Sequence, residues 1–176
     1  MANQEHLSLL RQGVEKWNTW RRQYPEIRPD LSGADLQNSN LMEANLAGVN
    51  LSGADLRNSY LTMADLEGAD LSGANLSALV ATGADFSETR LTAAILVGAD
   101  LSYANLTNAD LRRADLSQVR LREAILFSAN LSDAVLTHAK LHFAILTGAN
   151  LSGTILTNAS FEGAALEGAI LPIGFR

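Results

Sequence analysis

The residues that could do chemistry in this chain are few: His6, His138 and His142, arginines at 112, 113, 120 and 122, and an abundance of serine and aspartate. Cys is absent, which removes thiolate nucleophiles, disulfides and cysteine metal sites. His138 and His142 are four residues apart, a spacing that suits zinc when both rings share a helix face. They lie instead inside a strict five-residue repeat, where four steps carry the chain around a corner. The Ser and Asp residues arise from that same repeat, and no P-loop or Gly-x-Gly-x-x-Gly is present. The sequence therefore predicts no catalytic residue, no metal site and no cofactor.

Two surface groups remain as candidates for binding. Arg112, Arg113, Arg120 and Arg122, joined by Lys140 and His142, could receive an anion or an acidic partner. Asp100, Asp110, Asp115 and Glu123 stand nearby, and exposed ion pairs of this kind contribute little. Ile125, Phe127, Phe143 and Ile145 place apolar side chains where the repeat prefers Asp or Asn or at the adjoining turns. A contiguous apolar patch reads as a protein interface; the simpler account is that β-branched residues suit strand positions. For Ile95, Val135 and Ile155, spaced on the opposite side, the simpler account is favoured.

All of these positions are set by one frame. From Leu31 to Leu171 every fifth residue is apolar, giving 29 sites of which 26 are Leu, with Phe86, Phe161 and Ala81 the others. Leu36, Leu56, Leu76, Phe86, Leu106, Leu126, Leu146 and Phe161 represent the expected core. Two residues before each site is a small residue, Ala in 21 cases, and directly before it is Asp or Asn in 16. A five-residue step rotates an α-helix by about 140°, which would smear the leucines around it. A flat strand would throw successive leucines to opposite faces. A chain that turns a corner every five residues buries them together, with Leu and the preceding Ala inward. At Leu79-Val80-Ala81 the large and small inward residues are exchanged with little change in summed volume, so local repacking is expected, a one-residue bulge being the competing outcome.

The unit seen in Ala34-Asp35-Leu36 and in Ala104-Asn105-Leu106-Thr107-Asn108 resembles the pentapeptide repeat family, over about four fifths of the chain. The resemblance implies an all-β solenoid, a right-handed quadrilateral β-helix of about seven coils with an N-terminal α-helical cap, acting as a non-enzymatic structural or protein-interaction module. One branch of that family, linked to quinolone resistance, implies a second role, DNA mimicry directed at gyrase. Mimicry needs dense anionic charge. Residues 30–176 hold 16 Asp/Glu against eight Lys/Arg, and the arginines at 112, 113, 120 and 122 interrupt the strip. This chain also lacks the projecting loops and C-terminal dimerising helix implied for parts of that branch.

The chain divides into three segments: a capping helix and linker over 1–29, the repeat over 30–171 and a tail over 172–176. Leu7, Leu10, Val14 and Trp17, with Trp20 and Tyr24, predict one amphipathic helix over about residues 4–23, capped at Asn3 and stopped by Pro25 and Pro29. Leu10, Val14, Trp17 and Trp20 would lid the open end of the coil, whose bare leucines and unpaired strand groups invite stacking. The segment Trp17-Asn18-x-Trp20-Arg21 is similar to the start of short cyanobacterial members. A net charge of −6 gives no reason to expect nucleic acid, and no apolar stretch reaches bilayer length. The expectation is a cytoplasmic protein, off the membrane, with an unknown protein partner and homodimer contacts through the C-terminal end or the Ile125/Ile145 face.

Overall fold

The computed structural model describes residues 1–175. Its repeat is a rod in which each residue directly before a core site, the bridge residue, pairs in parallel with its equivalent 20 residues away, from Asp30 with Asn50 to Asn150 with Ile170. Four five-residue sides thus make one coil. The first residue after each core site is the turn residue, and the second is the corner residue.

The unit at Leu106 shows where every backbone N–H goes. Leu106 and Asn108 donate forward to the C=O groups of Ile125 and Phe127 at 2.6 and 2.9 Å, while Asn105 donates back to Ala84 at 3.0 Å. Ala109 closes the turn onto Leu106 at 3.1 Å. That leaves the N–H of the turn residue, Thr107, which donates to the Asn105 side-chain oxygen at 3.1 Å. Fifteen of the sixteen Asp or Asn bridge residues accept the same bond. The preference for Asp or Asn is therefore a turn requirement, met equally by a charged or a neutral oxygen. Each corner residue from Gly33 to Gly168 has a left-handed φ between 54° and 70°, including 17 that are not glycine.

Core filling follows the register. Leu36, Leu56, Leu76, Phe86, Leu106, Leu126 and Leu146 are buried, as are Leu79 and Ala81. Bridges Tyr60–Val80 and Val80–Asp100 pass through the exchanged unit, so it repacks without a bulge. Phe161, expected in the core, is only half-buried, because no further coil among the described residues covers it.

The predicted single helix is two: α1, Gln4–Arg11, and α2, Val14–Gln23. The break falls at Gly13, whose φ of 112° and ψ of 155° are inaccessible to a helix. Asn3 caps α1, accepting from the N–H groups of Glu5 and His6. Leu10 and Trp17 are buried against the first coil, while Val14 and Trp20 are half-buried. Among the described residues no helix is long and apolar enough to cross a membrane.

Candidate functional site

Three places on the rod depart from the regular wall, and the first is the sealed N-terminal end. A coil placed before Asn45 would donate to its C=O and to that of Ala47, and accept from the Asn45 N–H. Side chains of α2 do the same: Trp17 Nε1 donates to Asn45 C=O at 2.7 Å, an Arg21 guanidinium N–H donates to Ala47 C=O at 2.6 Å, and Asn45 N–H donates to Asn18 Oδ1 at 2.8 Å. At the neighbouring side Asn3 N–H donates to Asp30 C=O, and Asp30 N–H donates to His6 Nδ1. Burial pushes the Arg21 guanidinium pKa down, opposed by the charge of Asp65. Asn45 is the one Asp/Asn bridge residue whose side-chain oxygen does not cap its own turn; it accepts from Arg21 Nε at 3.4 Å. The roles of Asn18 and Arg21 are not evident from composition, which shows only a mild basic bias. Their signal is helical spacing: Arg21 lies four residues after Trp17, on the same face.

The second place is the apolar group. Ile125 and Ile145 bridge one another directly, with Asn105 before and Ala165 after in the same column. Ile125, Phe127, Phe143 and Ile145 are 38%, 47%, 54% and 41% exposed. The Phe143 ring lies over Gly163, where an added Cβ would collide with it, so the patch reaches the next coil. Neither isoleucine can cap its turn. On the adjoining side Arg120 pairs with Asp100 at 3.6 Å and Arg122 with Glu123 at 3.0 Å. The Glu123 hydrogen bond and then Tyr103 raise the Arg122 pKa. Lys140, next to Arg120 in the column, makes no ion pair among the described residues. Arg112 pairs with Asp110 at 2.7 Å, on another side, so the arginines do not form one patch.

His142 illustrates why proximity is not catalysis. Its Nε2 is 3.1 Å from Ser160 Oγ, and the same nitrogen is 3.9 Å from Glu162. A relay would need serine and carboxylate on opposite ring nitrogens. Among the described residues no group of His, Asp and Glu could hold a metal ion.

The third place is the last coil described. Among the described residues, the core-site and corner N–H groups of Gly153, Leu156, Asn158, Phe161, Gly163, Leu166, Gly168 and Leu171 find no acceptor. Phe175 packs edge-on against Phe161 at 5.4 Å, but Ile170, Leu171 and Ile173 are exposed.

The sequence matches the family described as pentapeptide repeats, in 8 copies, over stretches that together run from 30 to 171: 30–62, 39–77, 59–98, 94–133, 104–142 and 129–171. The chain belongs to the pentapeptide repeat family. Pentapeptide repeat proteins fold as right-handed quadrilateral β-helices, and the match indicates no catalytic family. Among solved pentapeptide repeat structures, the chain is similar to HetL, a protein involved in heterocyst differentiation regulation from the cyanobacterium Nostoc sp. strain PCC 7120. That match has 32% identity over 83% of this chain and 86% of that one, with a TM-score of 0.38. It is also similar to alr5209 from Nostoc PCC 7120, at 32% identity over 64% of this chain and 78% of that one, with a TM-score of 0.40. Full-length QnrB1, a plasmid-mediated fluoroquinolone resistance protein, matches at 24% identity over 81% of this chain and 79% of that one, with a TM-score of 0.46. No curated protein sequence matches the chain.

Proposed function

We propose that this pentapeptide repeat protein is a non-enzymatic, cytoplasmic protein-interaction module whose contact face is the wall carrying Ile125, Phe127, Phe143 and Ile145. The observation that carries the reading is the pairing of exposure with sacrifice: Ile125 and Ile145 occupy slots where Asp or Asn would cap a turn, and they remain exposed instead. The partner segment that fits is apolar with an acidic flank, set against Lys140. Ile125→Asn with Ile145→Asn restores both turn acceptors, so the variant keeps its fold while losing the apolar surface. Capture from native extract with wild type and variant side by side tests it. Loss of a captured partner on the variant, and its further weakening by Lys140→Glu, supports the face. Identical partners on both proteins remove it, and a fall in solution mass would make the occupant a second copy.

A second reading, DNA mimicry, has one observation in its favour: residues 30–110 hold eleven Asp/Glu against two Lys/Arg. Against it, Asp bridge residues serve their turns as Asn does, so their number needs no mimicry to explain it. A gyrase supercoiling assay separates the two. Inhibition or drug protection at about micromolar protein supports mimicry, since it implies a binding free energy near −8 kcal/mol.

A further inference from the structure

We infer that the C-terminal end of the rod is a docking site for the leading edge of another pentapeptide repeat coil, and that α1 and α2 keep this chain's own leading edge from filling the role. The argument starts from backbone direction. Within each side two N–H groups point toward the C-terminus and one points back, while two C=O groups point toward the N-terminus and one points forward. The rod's ends are therefore chemically opposite: the C-terminal end has an excess of donors and the N-terminal edge an excess of acceptors.

The two ends also share one register. Core sites Leu31 and Leu171 are 140 residues apart, seven steps of 20, so side meets side without slippage. A second copy whose first coil lay on the last coil would bring the C=O groups of Asp35 and Gln37 to the N–H groups of Leu156 and Asn158. Asn40 and Met42 would face Phe161 and Gly163, and Asn45 and Ala47 would face Leu166 and Gly168. The half-buried Leu156, Phe161 and Leu166 would become core. Two C-terminal ends set face to face leave the corner N–H groups of both rods without acceptors, so the tail-to-tail arrangement completes less of the ladder.

In the chain as it stands the cap occupies three of those six carbonyls, those of Asp35, Asn45 and Ala47. Trp17, Asn18 and Arg21 hold the groups of Asn45 and Ala47, and an Arg11 guanidinium N–H reaches Asp35 C=O at 3.3 Å. The cap thus imitates the coil that would otherwise dock, as terminal repeats of solenoids do. A heterologous contact of this kind does not close, and an uncapped chain would grow into filaments.

The test uses the full chain with Trp17→Ala and Arg21→Ala together, followed by sedimentation and electron microscopy. The expected result is a concentration-dependent series of end-to-end rods, absent from wild type. Wild type, with a blocked leading edge and an open C-terminal end, should shorten those rods when added in small amount, whereas Ile125→Asn with Ile145→Asn in the cap variant should leave them unchanged. Phe161→Glu in the cap variant, which spoils the receiving end, should abolish them. A cap variant that keeps its β circular dichroism and stays monomeric at millimolar concentration overturns the inference, as do assemblies that wild type does not shorten. If the cap variant loses its fold, Arg21→Ala alone, which leaves the buried indole in place, carries the same comparison.

Discussion

At the N-terminal end three side chains of one short helix supply, on the Asn45 side, the donors and acceptor that a missing coil would have supplied; at the C-terminal end eight core-site and corner N–H groups of the same repeat have no acceptor among the described residues. Trp17 is fully buried where the rod begins, and Phe161 is half-buried where it ends. The charge differs as well: residues 30–110 are strongly acidic, whereas residues 111–176 hold five Asp/Glu against six Lys/Arg. The apolar wall lies in this second, nearly neutral part. Comparing the parts teaches that the repeat supplies only the shaft. What distinguishes one end from the other is added by residues outside its consensus.

The comparison breaks most readily at Trp17. Trp17→Ala should cost about 3–5 kcal/mol in chemical denaturation, since it opens a cavity and orphans the Asn45 C=O. Leu106→Ala in mid-rod should cost about 2–5 kcal/mol, because coils on both sides prevent collapse into the gap. Phe161→Ala should cost clearly less than Leu106→Ala; equal losses would show that the C-terminal end is covered in solution. Next in size, Arg21→Ala should cost about 1–3 kcal/mol by leaving the Ile27 and Ala47 carbonyls unpaired. Ala93→Gly should gain about 1 kcal/mol, because Ala93 holds a left-handed φ of 55° that glycine adopts freely.

Acid should loosen the two parts unequally. Hydrogen bonds from Arg57 and Arg112 hold Asp55 and Asp110 below the usual carboxylate range, the Ser32 N–H does the same for Asp30, and Asp70 is lowered by Ser72 and Arg90 although burial opposes it. A carboxylate with a lowered folded pKa stabilises above its unfolded pKa and loses that contribution as pH falls through the folded one. All four lie in residues 30–110. Hydrogen exchange below about pH 4 should therefore rise first in the N-terminal coils, and uniform loosening along the rod would contradict this.

The coil was legible in the sequence because a fixed period leaves no choice of face: Leu106 and Leu126 can only be inward if the chain turns at each corner. The unit at Leu79-Val80-Ala81 was readable for the same reason, since summed volume and phase are both kept. What was not legible depended on bonds across long sequence separations. Gly13 divides the helical pattern although Leu10, Val14 and Trp17 keep helical spacing through it, and Phe161 matches the core motif yet has no covering coil among the described residues. Arg21 reads as surface charge until Ala47 is seen beside it. The reason for Asp or Asn at the bridge position likewise lay in one unpaired N–H per turn, which no alternation of apolar and polar residues reveals.

Four walls of five residues have one more consequence. Adding or removing 20 residues would lengthen or shorten the shaft and leave every face aligned. Adding or removing five would act as a quarter-turn of a wrench, swinging everything downstream, Ile125 and Ile145 included, onto a different wall relative to the cap. Length and aim are therefore separate variables in this architecture, each adjustable without redesigning a single buried contact.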